Sequence, residues 1–251
     1  MFRNQYDSDV TVWSPQGRLH QVDYAVEAMK QGSATVGLTS ETHAVIVALK
    51  RAANDLCSHQ KKIYELDTHS GVSIAGLLSD GRILARFLQT ECSSWRWDYQ
   101  EPIPLQVLSN RLQLKLQANT QFYGRRPFGV GLLIAGYDAK GPHIIKTDPS
   151  AEVVETHAAS IGARSQSGRT YLERNLLNFR NASLGELIEH ALLALRDTLP
   201  NEQNLSMKNT SIGVVGKDMP FRIMEEEEVQ PHLDRVALSH HQRVGRREGN
   251  E

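Results

Sequence analysis

Apolar residues change their spacing several times along the chain, and each change marks an element. Leu19, Val22, Val26 and Met29 recur every three or four residues, which makes one apolar stripe of a helix from about Leu19. Gly32 ends that helix, as glycine commonly does at a helix C-terminus. Ahead of it, Asp9 to Trp13 is short and β-prone, and Ser14-Pro15-Gln16-Gly17 is a turn, because proline fixes φ and glycine permits positive φ. Past Gly32 the period becomes two. Ala34, Val36 and Leu38 alternate with Thr35 and Gly37, which predicts a half-buried strand. Ala44 to Leu49 is a nearly continuous apolar run and predicts a strand buried on both faces.

Lys50 to His59 is polar and mixed, a loop with a helical turn. Lys62 to Leu66 and Val72 to Leu77 read as a pair of strands joined around Asp67 to Gly71. Ser79-Asp80 starts a helix with Ile83, Leu84, Phe87 and Leu88 on one face, reaching roughly to Trp95. Pro102 and Pro104 break the chain, and Leu105, Leu108 and Leu112 begin a second helix that ends near Phe122. Gly129 to Tyr137 and His143 to Lys146 form a hairpin, and Val153 to Thr156 with Ala158 to Ile161 form another. Ser165 to Leu177 is helical. Leu184, Leu187, Ile188, Ala191, Leu192 and Leu195 give the clearest amphipathic helix, which Pro200 stops. Ser211 to Val215 and Phe221 to Met224 close with a hairpin turning at Gly216-Lys217-Asp218. Glu225 to Glu228 opens a short helix, where acids suit the positive end of the macrodipole. From about Asp234 the tail is polar and basic and is expected to be disordered.

Strands, two helices, strands, two helices and strands follow one another without strand–helix–strand alternation. Two antiparallel sheets with helix pairs outside them is the economical packing. The chain has 251 residues, where one domain is common and two are possible, and its 40% hydrophobic and 23% charged content fits a soluble globule. A formal net charge of -1 gives no global electrostatic case for nucleic acid or a membrane surface. Cys57 and Cys92 make neither a disulfide scaffold nor a zinc site, and reduced thiols in a cytoplasmic or nuclear setting are the simpler account. Met1 to Gln5 lacks the apolar core of a signal peptide, and the run near Val130 to Ala135 is too short to span a bilayer.

The literal residue order of the first helix and its approach says more. Tyr6-Asp7, Ser14-Pro15, Gly17-Arg18, Gln21-Val22-Asp23-Tyr24-Ala25 and Glu27-Ala28, at this spacing, resemble the N-terminal signature of proteasome α subunits. Gln31 to Leu38, Tyr123 to Asp138, Ser160 to Arg174 and Ser211 to Asp218 are similar to the same family, so the resemblance covers about Phe2 to Leu233. It implies an α+β, four-layer αββα sandwich of the N-terminal-nucleophile-hydrolase kind with an N-terminal helix extension. It implies one domain over residues 1–234, with 1–32 as gate segment and ring helix, and a polar tail over 235–251. The implied partners are other α subunits in a seven-membered ring, β subunits of the inner ring, and the C-terminal tails of activators such as the regulatory particle. The implied place is cytoplasm and nucleus.

Candidate chemistry is sparse. Gly129-Val130-Gly131 resembles the start of a dinucleotide loop, but the third glycine is misplaced and core strand is favoured. Gly162-Ala163-Arg164-Ser165 has no Gly-Lys-Ser/Thr element, so no nucleotide loop is inferred. The ten histidines show no metal pattern, and neither metal nor cofactor is expected. Ser33-Ala34-Thr35-Val36-Gly37 is the serious catalytic question. In the β branch of the resembled family a similar run begins the mature chain, and its terminal threonine uses its own amine as base. Ser33 occupies that place and could act only if residues 1–32 were removed. Lys50 stands about where the β branch has an aspartate. The expectation is therefore a non-catalytic subunit, with a hydrolase acting through processed Ser33 as the alternative. Lys61-Lys62 is, on bare sequence, a solvated pair. The resemblance makes Lys62 the lysine that receives an activator's terminal carboxylate in a pocket between neighbouring subunits. It also implies that Tyr6, Asp7, Pro15 and Tyr24 form the gate cluster, meeting across neighbouring subunits when the pore opens, with Met1 to Gln5 swinging beyond it. Ser8 replaces an arginine found there in many relatives. Arg125-Arg126-Pro127, without interleaved aromatics, is weak for nucleic acid and is expected to pair with acids on an adjacent subunit.

Overall fold

The structure is a computed structural model and describes residues 5–52, 56–200 and 203–237. In chain order it contains α1 (His20–Gln31), β1 (Thr35–Thr39), β2 (His43–Leu49), β3 (Ile63–Asp67), β4 (Ser70–Gly76), α2 (Leu78–Tyr99) and α3 (Leu105–Gln121). There follow β5 (Val130–Asp138), β6 (Gly141–Thr147), β7 (Val153–Thr156), β8 (Ala158–Ile161), α4 (Ser165–Phe179), α5 (Leu184–Arg196), β9 (Thr210–Gly216) and β10 (Met219–Met224). The strands form two antiparallel five-stranded sheets, ordered β10-β9-β2-β1-β8 and β3-β4-β5-β6-β7.

The period of two sorts side chains into layers. On β2, Val45, Val47 and Leu49 face a core shared with α4 and α5, while Ala44, Ile46 and Ala48 face the opposite sheet. On β5, Val130, Leu132 and Ile134 meet α2 and α3, while Leu133 and Ala135 point between the sheets. Three apolar cores thus separate four layers, helices outside and sheets inside, as the αββα expectation requires. Both central strands are covered on both faces, which is why their sequences are continuously apolar. Ser183 and Glu186 start α5 with a reciprocal capping box. Among the described residues no helix is long and apolar enough to cross a membrane.

Several expectations need correction. Residues 9–13 form no strand: the Asp9 carboxylate accepts from Thr11 N at 2.8 Å and Thr11 Oγ1 at 2.7 Å, which folds the backbone into a turn. β1 is buried at all five positions, not at alternate ones, because it lies between β2 and β8 with cores on either side. Val153 to Thr156 and Ala158 to Ile161 are not a hairpin. β7 pairs with β6 and β8 with β1, so the chain changes sheet at His157 alone. α2 continues past Trp95 to Tyr99 and is ended by Gln100 in a left-handed conformation (φ 58°). Ile83 lies off the buried face, 56% exposed, while Leu84 and Leu88 are buried. The acidic run makes a single 3-10 turn, Glu226–Glu228, and a helix over 230–237 follows, so the ordered chain runs past Asp234. The rest of the expected tail lies outside the described residues.

α1 lies across β4 and β5 at their glycine-rich ends. Met29 is buried against Gly131, where an added Cβ would come within 2.4 Å of its sulfur. Gly129-Val130-Gly131 is therefore strand that makes room for a helix. Where α1 ends, Gly32 passes so close to β4 that a Cβ on it would stand 2.0 Å from Gly76 N. Leu19, Val22 and Val26 remain half-buried, so most of the predicted stripe is left for something other than this chain's own core.

Candidate functional site

Two places carry the residues singled out by the sequence. The first is the approach to α1. Ser14 to Arg18 closes into a loop: Ser14 N donates to Arg18 O at 2.9 Å, Arg18 N donates to Ser14 Oγ at 3.1 Å, and Gly17 at φ 74° makes the turn. That loop aims the segment before it back along α1. Tyr24, on the first turns of α1, donates its hydroxyl to Asp7 Oδ2 at 3.0 Å, and Gln21 Nε2 donates to the Asp7 carbonyl. Asp7 and Tyr24 of the expected cluster are thus together within the chain. Pro15 sits on the exposed turn and Tyr6 is half-buried before Asp7. Ser8 is exposed. The expected swinging of Met1 to Gln5 concerns a segment of which residues 1–4 lie outside the described residues.

The second place is the N-terminal end of β1. Ser33 is buried, and its amine is a peptide nitrogen following Gly32, whose carbonyl accepts from Ala163 N at 2.7 Å. Lys62 Nζ donates to Ser33 O at 3.2 Å. Thr35 and Ser73 meet hydroxyl to hydroxyl beneath it. Lys62 is only 2% exposed, so it is not half of a solvated pair; Lys61 alone is exposed, lying over the Tyr64 ring at 5.5 Å. Lys62 lies just ahead of β3, next to the buried Ile63, with its carbonyl accepting from Ile74 N at 3.1 Å, whereas Lys61 faces out. Burial, with the Arg51 guanidinium adding to it, brings the Lys62 ammonium from its ordinary 10.5 down to about 7. Lys50 is itself buried and pairs with Glu225 at 3.4 Å, while Ser211 Oγ donates to the same carboxylate.

These values set an expected result. An isotopic label on Lys62 Cε should titrate near pH 7 in the folded chain. Because the folded state binds this proton more weakly than the unfolded state, its contribution to stability is largest above about 10.5 and falls as pH drops to about 7. Titration near the ordinary lysine value would show that the amine reaches solvent.

Some functional geometry was not foreseen. Arg126 pairs within the chain, its Nη1 and Nη2 reaching Asp80 at 2.6 and 2.8 Å. Asp80 lies in the first turn of α2, where Ser79-Asp80 predicts the helix start, and its carboxylate accepts from Arg126 and from Gly129 N at 3.0 Å. The Asp9 carboxylate reaches Gly124 N at 3.1 Å. Asp-x-Thr at residues 9–11 is a local turn signal, but nothing in sequence spacing joins it to Gly124.

A family model for proteasome subunits matches residues 29–215, and one for the N-terminal signature of proteasome A subunits matches residues 6–28, the stretch that holds Asp7 against Tyr24. The chain belongs to the proteasome α-subunit family. It is 75% identical to a proteasome subunit alpha type-1 of Caenorhabditis elegans, over 94% of this chain and 91% of that one. It is 53% identical to a probable proteasome subunit alpha type-6 of Schizosaccharomyces pombe over 94% of this chain and 87% of that one, and 50% identical to a Drosophila melanogaster alpha type-1 subunit over 93% and 85%. The two-sheet sandwich and its N-terminal helix are accordingly those of a proteasome α subunit, and the signature match coincides with the helix and the approach segment packed on it.

Proposed function

We propose that this α subunit is a non-catalytic member of the outer α ring of the proteasome core, where it helps to control substrate entry and to dock activators. The observation that carries this reading is the Asp7–Tyr24 contact, which together with the Gln21 amide ties the segment before α1 to the helix. A tether made of side-chain contacts suits an equilibrium between two chain conformations. The half-buried Leu19, Val22 and Val26 support α1 as a contact for a neighbouring subunit.

Tyr24→Phe or Asp7→Ala should lower activator-stimulated peptide entry into the assembled particle and leave hydrolysis unchanged once the ring's N-terminal segments are deleted. Unchanged stimulated entry in both variants would refute the gating role. Lys62 is the cation proposed for an activator's terminal carboxylate. To meet it, the ammonium must leave Ser33 O, and the carboxylate then favours the charged form. Docking should therefore weaken as pH rises above about 7, and Lys62→Ala should weaken it at every pH. Absence of any cross-link from Lys62 to activator C-termini would count against this assignment.

The second reading is a hydrolase acting through a processed Ser33, favoured by a lysine of depressed pKa beside that residue. Against it stand Lys50 with Glu225 in place of an acid alone, and a Gly32 built into the fold by Ala163 and Gly76. Ser33→Ala should leave every peptidase activity of the particle unchanged, and sequencing the mature N-terminus separates the two readings directly.

A further inference from the structure

We infer that a groove at the end of α4 docks an acidic, leucine-bearing segment of a transient partner protein. The groove lies past Thr39, at the opposite end of β1 from Ser33 and Lys62, and shares no residue with the gating or tail-docking places.

Four separate stretches build it: the β1–β2 turn from Thr39 to Glu41, the β5–β6 hairpin at Lys140 and Pro142, the link at His157, and the last turn of α4. Its volume is about 550 Å3, enough to take a few side chains, and the buried Phe179 forms its floor. Hydrogen bonds hold the walls in place. Thr39 N donates to His157 O at 2.9 Å, and Glu41 N donates to Arg180 O at 2.9 Å. The groove is therefore formed before anything enters it, so binding spends little on ordering the backbone. On its lip Leu177 is 93% exposed and its neighbour Leu176 46% exposed. α4 meets the core through Leu172 and Phe179, and these two leucines are left over from that packing. Adjacent exposed leucines beside a formed groove mark a protein contact.

Charge selects the occupant. Lys140 is exposed on the rim, and the acids around it are engaged elsewhere. Asp138 accepts from Lys140 N at 2.8 Å and from Leu105 N at 3.2 Å, and lies 2.9 Å from His143 Nε2. Glu155 lies 2.5 Å from His143 Nδ1, and Glu41 pairs with Arg180 at 2.8 Å. The Lys140 ammonium is thus left without an acid among the described residues. Arg180 and Glu41 are both exposed, and so open a pair is readily exchanged for another carboxylate. An incoming acid meets two cations, Lys140 and Arg180, beside an apolar centre of Leu177 and Pro142 that receives a leucine. Nucleic acid suits the groove less, because leucines stand where a base needs a flat ring. A permanent subunit contact is larger and more apolar, so a small groove with a charged rim fits a partner that comes and goes.

The test uses assembled core particles with blocked peptidase sites, carrying this chain as wild type, Lys140→Glu or Leu177→Ser. Both changes fall on exposed side chains that the fold does not use. The probes are a fluorescent hexapeptide of alternating glutamate and leucine and its lysine-for-glutamate counterpart. Both ends are blocked, so that no terminal carboxylate competes for Lys62. Anisotropy reads binding, and hydroxyl-radical labelling reads the cover on Leu177. The glutamate peptide should bind wild type about ten-fold more tightly than the lysine peptide, protect Leu177, and lose about ten-fold in either variant. No binding, or equal binding of the two peptides, overturns the inference. Binding kept in Leu177→Ser marks a bare anion site open to nucleic acid, and binding kept in Lys140→Glu marks an apolar site with no preference for acid; either overturns it. Protection of Leu177 before any peptide is added places a permanent subunit in the groove and overturns it as well.

Discussion

A chain beginning at Ser33 is expected to stay out of the particle and to aggregate when made alone. α1 covers the glycine-rich ends of β4 and β5, and removing it uncovers Gly129, Gly131 and Gly76, which have no side chains of their own to shield the core. Met29 alone is worth about 1.5–3 kcal/mol of buried surface, and Ala25 is buried beside it. Ala163 N loses its acceptor when Gly32 goes. With total stabilities of only about 5–15 kcal/mol, such a loss decides whether the domain persists. Native mass measurement of particles from cells making the truncated chain checks this. Normal incorporation would show that α1 is dispensable, and a new peptidase activity in the truncated chain would revive the hydrolase reading.

Gly32→Ala is the second large effect expected. Gly32 has φ -65° and ψ 151°, an ordinary conformation for any residue, so backbone preference does not forbid alanine. Space does. The new Cβ would lie 2.0 Å from Gly76 N and 2.7 Å from Gly76 Cα, and backbone cannot swing aside as a side chain can. Forcing that separation should cost about 3 kcal/mol or more. The helix end would have to lift from β4, carrying Met29 with it. Chemical denaturation reads the stability, and particle yield reads the assembly. Gly17→Ala is the control: its φ of 74° makes it strained, but nothing lies within 4 Å, so any loss there comes from the turn alone. Equal stability of the Gly32→Ala and wild-type chains would show that α1 does not rest where the packing puts it.

Elements with a strong period were legible in sequence. β2, β5 and α5 carry runs that only a doubly covered strand or an amphipathic helix explains, and the order of elements led to two sheets between helix pairs. What failed was decided by partners far away in sequence. Residues 153–161 could not be split between sheets by pattern, because both halves are short and a one-residue link at His157 looks like a hairpin turn. β1 reads as half-buried because Thr35 and Gly37 are not apolar, yet a small or hydroxylated residue fits between two sheets when a serine such as Ser73 faces it. At the candidate site, Asp7 and Tyr24 were legible as members of one motif, and within the chain they share a hydrogen bond, a contact distinct from the expected cluster across neighbouring subunits. The burial of Lys62 and the pairing of Arg126 with Asp80 were not, because both depend on which way a side chain leaves its element.

The single residue at His157 makes the sandwich a book with a stitched spine. Its carbonyl holds Thr39 N at 2.9 Å, so that rim is closed by covalent chain and hydrogen bond together. At the opposite rim, where β10 approaches β3, the sheets are joined by a longer link, residues 50–62 between β2 and β3. That rim is clasped by Phe221, whose N–H reaches Thr68 O at 2.7 Å and whose ring fills the space above Gly71 and Gly213. A one-residue link leaves less slack than a thirteen-residue one, so breathing of the two sheets is expected at the fore-edge more than at the spine. Lys62 leads into β3, the strand on that fore-edge, so the leaf that lifts most easily is the one that carries the buried ammonium toward water.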